Sequence, residues 1–248
     1  MWLLGALGAA VLAAEVALAR RLVGSVSEPA PEVDGSYGDG EPLALAVLGD
    51  SAAAGWGVPA AEAFPRVLAE ALSERLNRRI DLRCVAEVGA TTADLGRQVS
   101  QLAASFPQLA VIVVGANDVK TRVRPATSAT QLRRVLDALH EQGCAVVVGT
   151  CPDLGTVRPV KPPLRWVVRQ WSRLLAAAQA AVTVDAGAVA VQLGELLGAD
   201  FLAEPQVYFG ADRFHPSAAG QRRVVDVLLP AALVTLGAES ALHSERRN

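Results

Sequence analysis

Five short apolar runs punctuate the chain from Leu43 onward: Leu43–Leu48, Ile80–Glu87, Ala110–Val114, Ala145–Gly149 and Val182–Asp185. Each is nearly continuous in Val, Leu and Ile, the composition of a strand covered on both faces. Between and after them, apolar residues return every three or four positions over about Ala63–Asn77, Thr92–Ala104, Ser128–Gln142, Leu164–Ala180, Val189–Leu197 and Ser217–Leu236. That spacing predicts amphipathic helices. Gly143, directly after His140-Glu141-Gln142, is an ordinary helix stop before the fourth run. Strands alternating with helices predict an α/β domain, a three-layer α/β/α sandwich around a central, mostly parallel five-stranded sheet.

The two ends break the pattern. Trp2 to Ala19 is apolar at helical length, interrupted only by Glu15 and followed by Arg20-Arg21. At about 18 residues it reaches the lower limit for spanning a bilayer. A single N-terminal membrane anchor over residues 1–23 is expected, and the Arg pair after it favours a cytoplasmic catalytic domain. A cleaved signal peptide with export is the alternative, with Ala17-Leu18-Ala19 as its small-residue site, although no basic residue precedes the apolar stretch. A buried or surface-lying amphipathic helix is the third reading. Residues 24–42 carry Pro29, Pro31, Pro42, several glycines and five acidic residues, so they read as an extended linker with little to bury. The domain then covers 43–238, and 239–248 is a polar tail expected to fray.

Composition narrows the function classes. The chain has 248 residues, 52% of them hydrophobic, and a formal net charge of -2. Length and hydrophobic content suit one packed domain rather than disorder, and nothing in the charge balance suggests nucleic acid as a partner. Cys84, Cys144 and Cys151 form neither a CxxC nor a Cys/His cluster. They read as small buried hydrophobes, with at most one internal disulfide. A monomer is expected.

The chemistry sits where apolar runs stop. Leu43–Leu48 ends in Gly49-Asp50-Ser51, and a strand that delivers a serine into a tight small-residue turn can hold a nucleophilic hydroxyl above a sheet edge. Near the other end, Asp212 stands three residues before His215, the spacing of an orienting carboxylate and a base. Asn117, in Gly115-Ala116-Asn117-Asp118 after a further apolar run, can offer a side-chain N–H to a developing oxyanion. Its neighbour Asp118 reads as structural. The rivals fail on spacing. A P-loop needs G-x-x-x-x-G-K-[ST], but Trp56 stands where Lys should. The G-x-S-x-G elbow fails because Ala53 replaces its second glycine. Gly55 to Ala60 fits a dinucleotide fingerprint only superficially, since Pro59 interrupts it. His140 lies at a helix C-terminus and His243 in the tail, whereas His215 precedes Pro216, well placed at a first helical position.

Together these pieces resemble the SGNH, or GDSL-type, hydrolase family. Four of its blocks occur in the family's order: Gly49-Asp50-Ser51, Gly89 within Val88-Gly89-Ala90-Thr91-Thr92, Gly115-Ala116-Asn117-Asp118, and Asp212-Arg213-Phe214-His215. Ala52 departs from the family's name-giving Leu. The resemblance spans roughly Leu43 to Leu236 and implies a flavodoxin-like SGNH fold. It also implies a Ser51, His215, Asp212 triad and an oxyanion hole of the Ser51 and Gly89 N–H groups with Asn117. The implied activity is an esterase cleaving small-molecule, lipid or glycan esters through an acyl-enzyme, with no metal or organic cofactor. An acyltransferase passing the acyl group to a sugar or lipid hydroxyl shares every motif. A catalytically silent, membrane-tethered binding module would have lost a triad member. Trp56, Phe209 and Phe214 lie near the motifs and hint at apolar lining. Arg165, Arg169 and Arg173 form a stripe on a predicted helix, expected to be either a solvated basic face or a contact for anionic lipid head groups.

Overall fold

The computed structural model describes residues 29–245, and side chains to residue 237. The segment read as a membrane anchor, residues 1–23, lies outside the described residues, as does the start of the linker. Among the described residues no helix is long and apolar enough to cross a membrane.

In chain order the elements are β1 (Gly35–Tyr37), β2 (Pro42–Gly49), α1 (Phe64–Leu76), β3 (Arg79–Cys84), α2 (Leu95–Ser100), β4 (Leu109–Val113), α3 (Ala116–Lys120), α4 (Pro125–His140), β5 (Ala145–Gly149), α5 (Leu164–Asp185), β6 (Val189–Val191), α6 (Leu193–Ala203), α7 (Pro205–Tyr208) and α8 (Ala218–Glu245). They build one six-stranded sheet in the order β1-β3-β2-β4-β5-β6. All neighbours run parallel except β1, which lies antiparallel on β3. The strand order therefore reverses between β2 and β4, the place where an open α/β sheet leaves a crevice at its carboxyl edge. Register brings the ends level there: Gly49 stands opposite Val113, and Val113 opposite Gly149.

Period-two alternation along the strands makes two cores. Leu43, Leu45 and Val47 join Leu109, Val111 and Val113 on one face, with Phe64, Leu68 and Leu72 of α1 and Val225 and Leu228 of α8. Ala46, Leu48, Ala110, Ile112 and Val114 face the other way, toward Leu95 and Val99 of α2 and Leu132, Leu136 and Leu139 of α4. The strands lie between helices on both sides, as their near-continuous apolar content requires.

The element pattern differs most from the expected one in four places, besides two short unexpected helices, Ala116–Lys120 and Pro205–Tyr208. Val182–Asp185 is not a strand but the last turn of the 22-residue α5. Within that turn Thr183 directs its hydroxyl back to the Gln179 carbonyl at 2.7 Å, while Val184 is exposed. Gly187, at φ +79°, then ends the helix in a Schellman arrangement: its N–H donates to Val184 O and the Ala188 N–H to Thr183 O. The fifth parallel strand is Val189–Val191, at the start of what reads as a helix; α6 begins only at Leu193. Within the stretch read as linker, Gly35–Tyr37 forms a sixth strand. Val33 is buried beside it, Tyr37 Oη donates to Val33 O at 2.6 Å, and Asp34 Oδ1 accepts the Cys84 N–H at 2.7 Å. Finally, α8 continues to Glu245 through most of the expected tail.

Candidate active site

The loop after β2 is forced by close approach. Gly49 has φ +135°, and a Cβ there would stand 1.9 Å from the Val113 carbonyl oxygen, so only glycine fits. At the strand end the Gly49 carbonyl accepts the Glu87 N–H at 3.0 Å, but the Gly49 N–H has no backbone partner there among the described residues. Buried Gln98 completes the pairing, accepting the Gly49 N–H and adding a second donor to the Gly49 carbonyl, each at 2.8 Å. Asp50 turns inward, where its carboxylate accepts the Ala52 N–H at 3.0 Å. Burial pushes this carboxyl up to about 6, against the pull of hydrogen bonds from the Ala52 and Gly115 N–H groups and the charge of His215. Ser51 follows, with its carbonyl accepting the Trp56 N–H at 3.0 Å.

Asp212 and His215 come from a hairpin-like loop closed by a bridge between Phe209 and Pro216 and by the Gly210 N–H on the His215 carbonyl at 2.8 Å. Asp212 Oδ1 accepts the N–H groups of Phe214 and His215, each at 3.0 Å, and Oδ2 lies 2.5 Å from His215 Nδ1. Burial raises this carboxyl, but the His215 hydrogen bond, the two backbone N–H groups and the His215 charge outweigh it. The carboxyl is therefore held below its usual range. An ionised Asp212 accepts only, which places the ring proton on Nδ1 and leaves the Nε2 lone pair outward. Nε2 lies 2.9 Å from Ser51 Oγ. The structure thus brings together three side chains that are 164 positions apart in sequence at the extremes. Both Ser51 and His215 are buried, and the half-buried Trp56 ring packs on the imidazole with centroids 4.4 Å apart.

Two further candidates face the same strand ends. Asn117 opens α3, after Gly115 at φ +136°, where a Cβ would meet Cys151 Cβ at 2.7 Å. Its amide Nδ2 donates to the Ala90 carbonyl at 3.0 Å, and Asp118 Oδ2 accepts the Thr92 N–H at 3.0 Å. Adjacent residues of one block therefore hold the loop that carries Gly89, which sits at φ +87°. Neither the Ser51 N–H nor the Gly89 N–H donates to a backbone acceptor among the described residues. Asp118 is fully buried, and burial raises its carboxyl despite the hydrogen bonds from Thr92.

The model of the GDSL-like lipase/acylhydrolase family matches residues 47–223. The chain belongs to this family. It is 41% identical over 187 residues to the GDSL-like esterase Rv1075c of Mycobacterium tuberculosis, a match covering 74% of this chain and spanning only 60% of that relative's length. Among solved structures it resembles TesA, with a TM-score of 0.63 at 23% identity over 76% of this chain and 97% of TesA. It also resembles LAE5, an alpha/beta hydrolase enzyme from the metagenome of Lake Arreo, Spain, with a TM-score of 0.64 at 18% identity over 79% of this chain and 96% of that one. These likenesses show the fold.

In this family member an apolar pocket of about 90 Å³ opens beside Ser51 and His215, walled by Phe64, Val113, Leu193, Leu197, Phe201 and Phe209. Of the aromatics that hinted at lining, Phe209 and Phe214 reach this pocket, and Trp56 covers the His215 ring instead. The arginine stripe is engaged by the chain itself. Arg169 Nε donates to Asp153 Oδ2 at 3.1 Å and Arg173 Nε lies 3.8 Å from the same oxygen, while Arg165 donates to the carbonyls of Val160 and Arg158. These contacts brace the loop after β5, which supplies Pro152 to Val157 around the pocket. All three cysteines are free, and burial pushes the Cys84 thiol up to about 12.

Sequence reading missed the glutamines that hold these loops. Besides Gln98, Gln179 accepts the Cys151 N–H at 2.7 Å and donates to Val114 O at 3.2 Å. Gln221 accepts the Phe64 N–H at 2.6 Å and donates to Trp56 O at 3.3 Å. Their signal was available: each is a lone amide on the apolar stripe of a helix, as Gln98 is between Leu95 and Leu102.

Proposed function

We propose that this protein is a serine esterase. The observation that carries the reading is the line from Ser51 Oγ to His215 Nε2 at 2.9 Å and from His215 Nδ1 to Asp212 Oδ2 at 2.5 Å. The ionised Asp212 fixes the tautomer, so Nε2 takes the Ser51 proton as Oγ attacks the ester carbonyl carbon. The oxyanion is met by the Ser51 and Gly89 N–H groups and the Asn117 amide, whose Nδ2 bond to Ala90 fixes its plane. Collapse breaks the bond to the alcohol oxygen, which receives the proton from His215. Water then attacks the acyl-enzyme with His215 again as base, releasing the acid and restoring Ser51. The apolar pocket suits a hydrocarbon part of the ester, and the 41% identical relative, a GDSL-like esterase, agrees with this reaction class.

Asn117→Ala tests the reading where a merely structural motif would give a different answer. By analogy with other enzymes, loss of one oxyanion donor lowers kcat about 10²–10³-fold, and KM for a short-chain nitrophenyl ester should change little. Full activity in Asn117→Ala removes Asn117 from the mechanism. Full activity in Ser51→Ala removes the mechanism altogether.

A further inference from the structure

A second concavity adjoins the apolar pocket, and its chemistry is different. It is an open cleft of about 430 Å³ lined by Arg158, Pro205, Gln206, Phe209, Gly210, Ala211 and Arg213. The two concavities share a wall. Phe209 lines both, and two consecutive pairs are divided between them: Val157 and Phe214 line the apolar pocket, Arg158 and Arg213 the cleft. A molecule whose reacting carbonyl lies at Ser51 and which extends past Phe214 therefore meets two guanidinium groups.

Both arginines are placed by the fold. Arg158 donates one N–H to the Leu202 carbonyl at 2.7 Å near the end of α6, and its own carbonyl accepts from Arg165 at 2.9 Å. Among the described residues it forms no ion pair with a carboxylate. Arg213 occupies the left-handed region at φ +58°, uncommon for a residue with a side chain. It is fixed there by its N–H on the Gly210 carbonyl at 2.9 Å and by the Asp212 hydrogen bonds to the two residues after it. Unlike Arg169 and Arg173, which share Asp153, neither pairs with a carboxylate among the described residues, and no acidic side chain lines the cleft. Asp212 lies between them in sequence but is spent on His215. Two arginines lining one cleft without a carboxylate partner attract and orient an anion, and the guanidinium fork matches the paired oxygens of a carboxylate or phosphate.

We propose that this cleft is an anion subsite, and that the ester this protein cleaves carries a carboxylate or phosphate on the part projecting from the apolar pocket. The proposal rests on the esterase reading for its substrate, though not for its binding test. The full chain is assayed with 3-acetoxybenzoate and 3-acetoxyphenyl phosphate, each against the neutral 3-acetoxybenzamide, which places the charge on the alcohol side. The 4-nitrophenyl monoester of glutarate against its terminal amide places it on the acyl side. At least one anionic ester should exceed its neutral partner about tenfold in kcat/KM, and the Arg158→Gln, Arg213→Gln double variant should bring that ratio close to one. Because both esters report on the same active molecules, partial misfolding of the variant cancels from the ratio. Arg213→Lys, which keeps the charge and loses the fork, should fall between. Calorimetric binding of the same pairs to Ser51→Ala gives the preference without turnover, so it stands even if Ser51 is not the nucleophile. Ratios near one for every pair in both assays, or a preference that the double variant retains, overturn the subsite. Which ester responds tells carboxylate from phosphate and the alcohol side from the acyl side.

Discussion

The two halves of the candidate site are held in opposite ways. The Gly49–Trp56 turn is part of the core: it leaves the central strand of the sheet, touches the Val113 carbonyl at a distance only glycine tolerates, and is fixed by Gln98 from α2 and Gln221 from α8. The Phe209–Pro216 loop is held mainly by itself, through one bridge, the Gly210 to His215 backbone bond and the three bonds of Asp212. The turn therefore draws its geometry from the stability of the whole sheet. The loop draws its geometry from one carboxylate, which organises the backbone through Oδ1 and the imidazole through Oδ2. A nucleophile needs a rigid, crowded seat. A base that must accept and return a proton needs its tautomer fixed, and local bonds suffice for that.

Substitutions separate the two modes. The largest effect on turnover is expected in the loop: Asp212→Asn keeps the side-chain oxygen for the backbone but loses the charge that fixes Nδ1–H. By analogy with another serine enzyme it should lower kcat about 10⁴-fold, with a melting temperature close to that of the parent. Gly49→Ala should instead act through stability, lowering it by at least about 3 kcal/mol in chemical denaturation, because neither Val113 nor the sheet can move away. Because the clash can be relieved only by shifting the turn that carries Ser51, turnover should fall as well, but always together with stability.

Asp50 sharpens the comparison through pH. Its folded carboxyl binds a proton up to about pH 6, whereas the unfolded group releases it near the ordinary carboxyl value of 3.8. Between those values the folded state holds the extra proton, so this group makes stability decrease as pH rises through about 4 to 6. Above that window the cost is constant at about 3 kcal/mol. The stability of Asp50→Asn, followed by denaturant unfolding across the same window, should lack that slope. A wild type with an identical slope would show that Asp50 is not desolvated as the geometry implies. The smallest effect is expected for Gln98→Met, which fills the same space but leaves the Gly49 N–H unpaired, while the Gly49 carbonyl keeps the Glu87 N–H at 3.0 Å; a loss of about 2 kcal/mol follows. It should affect the turn and leave the Asp212–His215 pair intact.

The legible part of this fold was the part made by continuous apolar runs. β2, β4 and β5 are buried on both faces, so their sequences could be little else, and the chemistry-bearing blocks announce themselves by following two of those strands. Two strands escaped for a related reason. Val189–Val191 has three residues and stands five positions after Val182-Thr183-Val184, a more strand-like run that the helix takes up and closes at Gly187. Gly35–Tyr37 is polar because only its edge meets the sheet, and Val33 and Tyr37 alone mark it as docked. At the site, the candidate chemical residues were visible by type, whereas the buried glutamines showed only as lone amides on apolar helix stripes, with nothing to say what they bond. An amide that completes the hydrogen bonding of a distant backbone has no sequence partner to point to. Trp56 shows the same limit, since only folding brings its ring to His215.

The central claim is that Ser51 is the nucleophile, activated by His215. Treatment of the folded protein with a fluorophosphonate, followed by intact-mass measurement and peptide mapping, tests it most directly. The account predicts one adduct, on Ser51, absent in Ser51→Ala and formed far more slowly in Asp212→Asn. An adduct on another residue, or a folded wild type that hydrolyses esters yet takes no label, would contradict it.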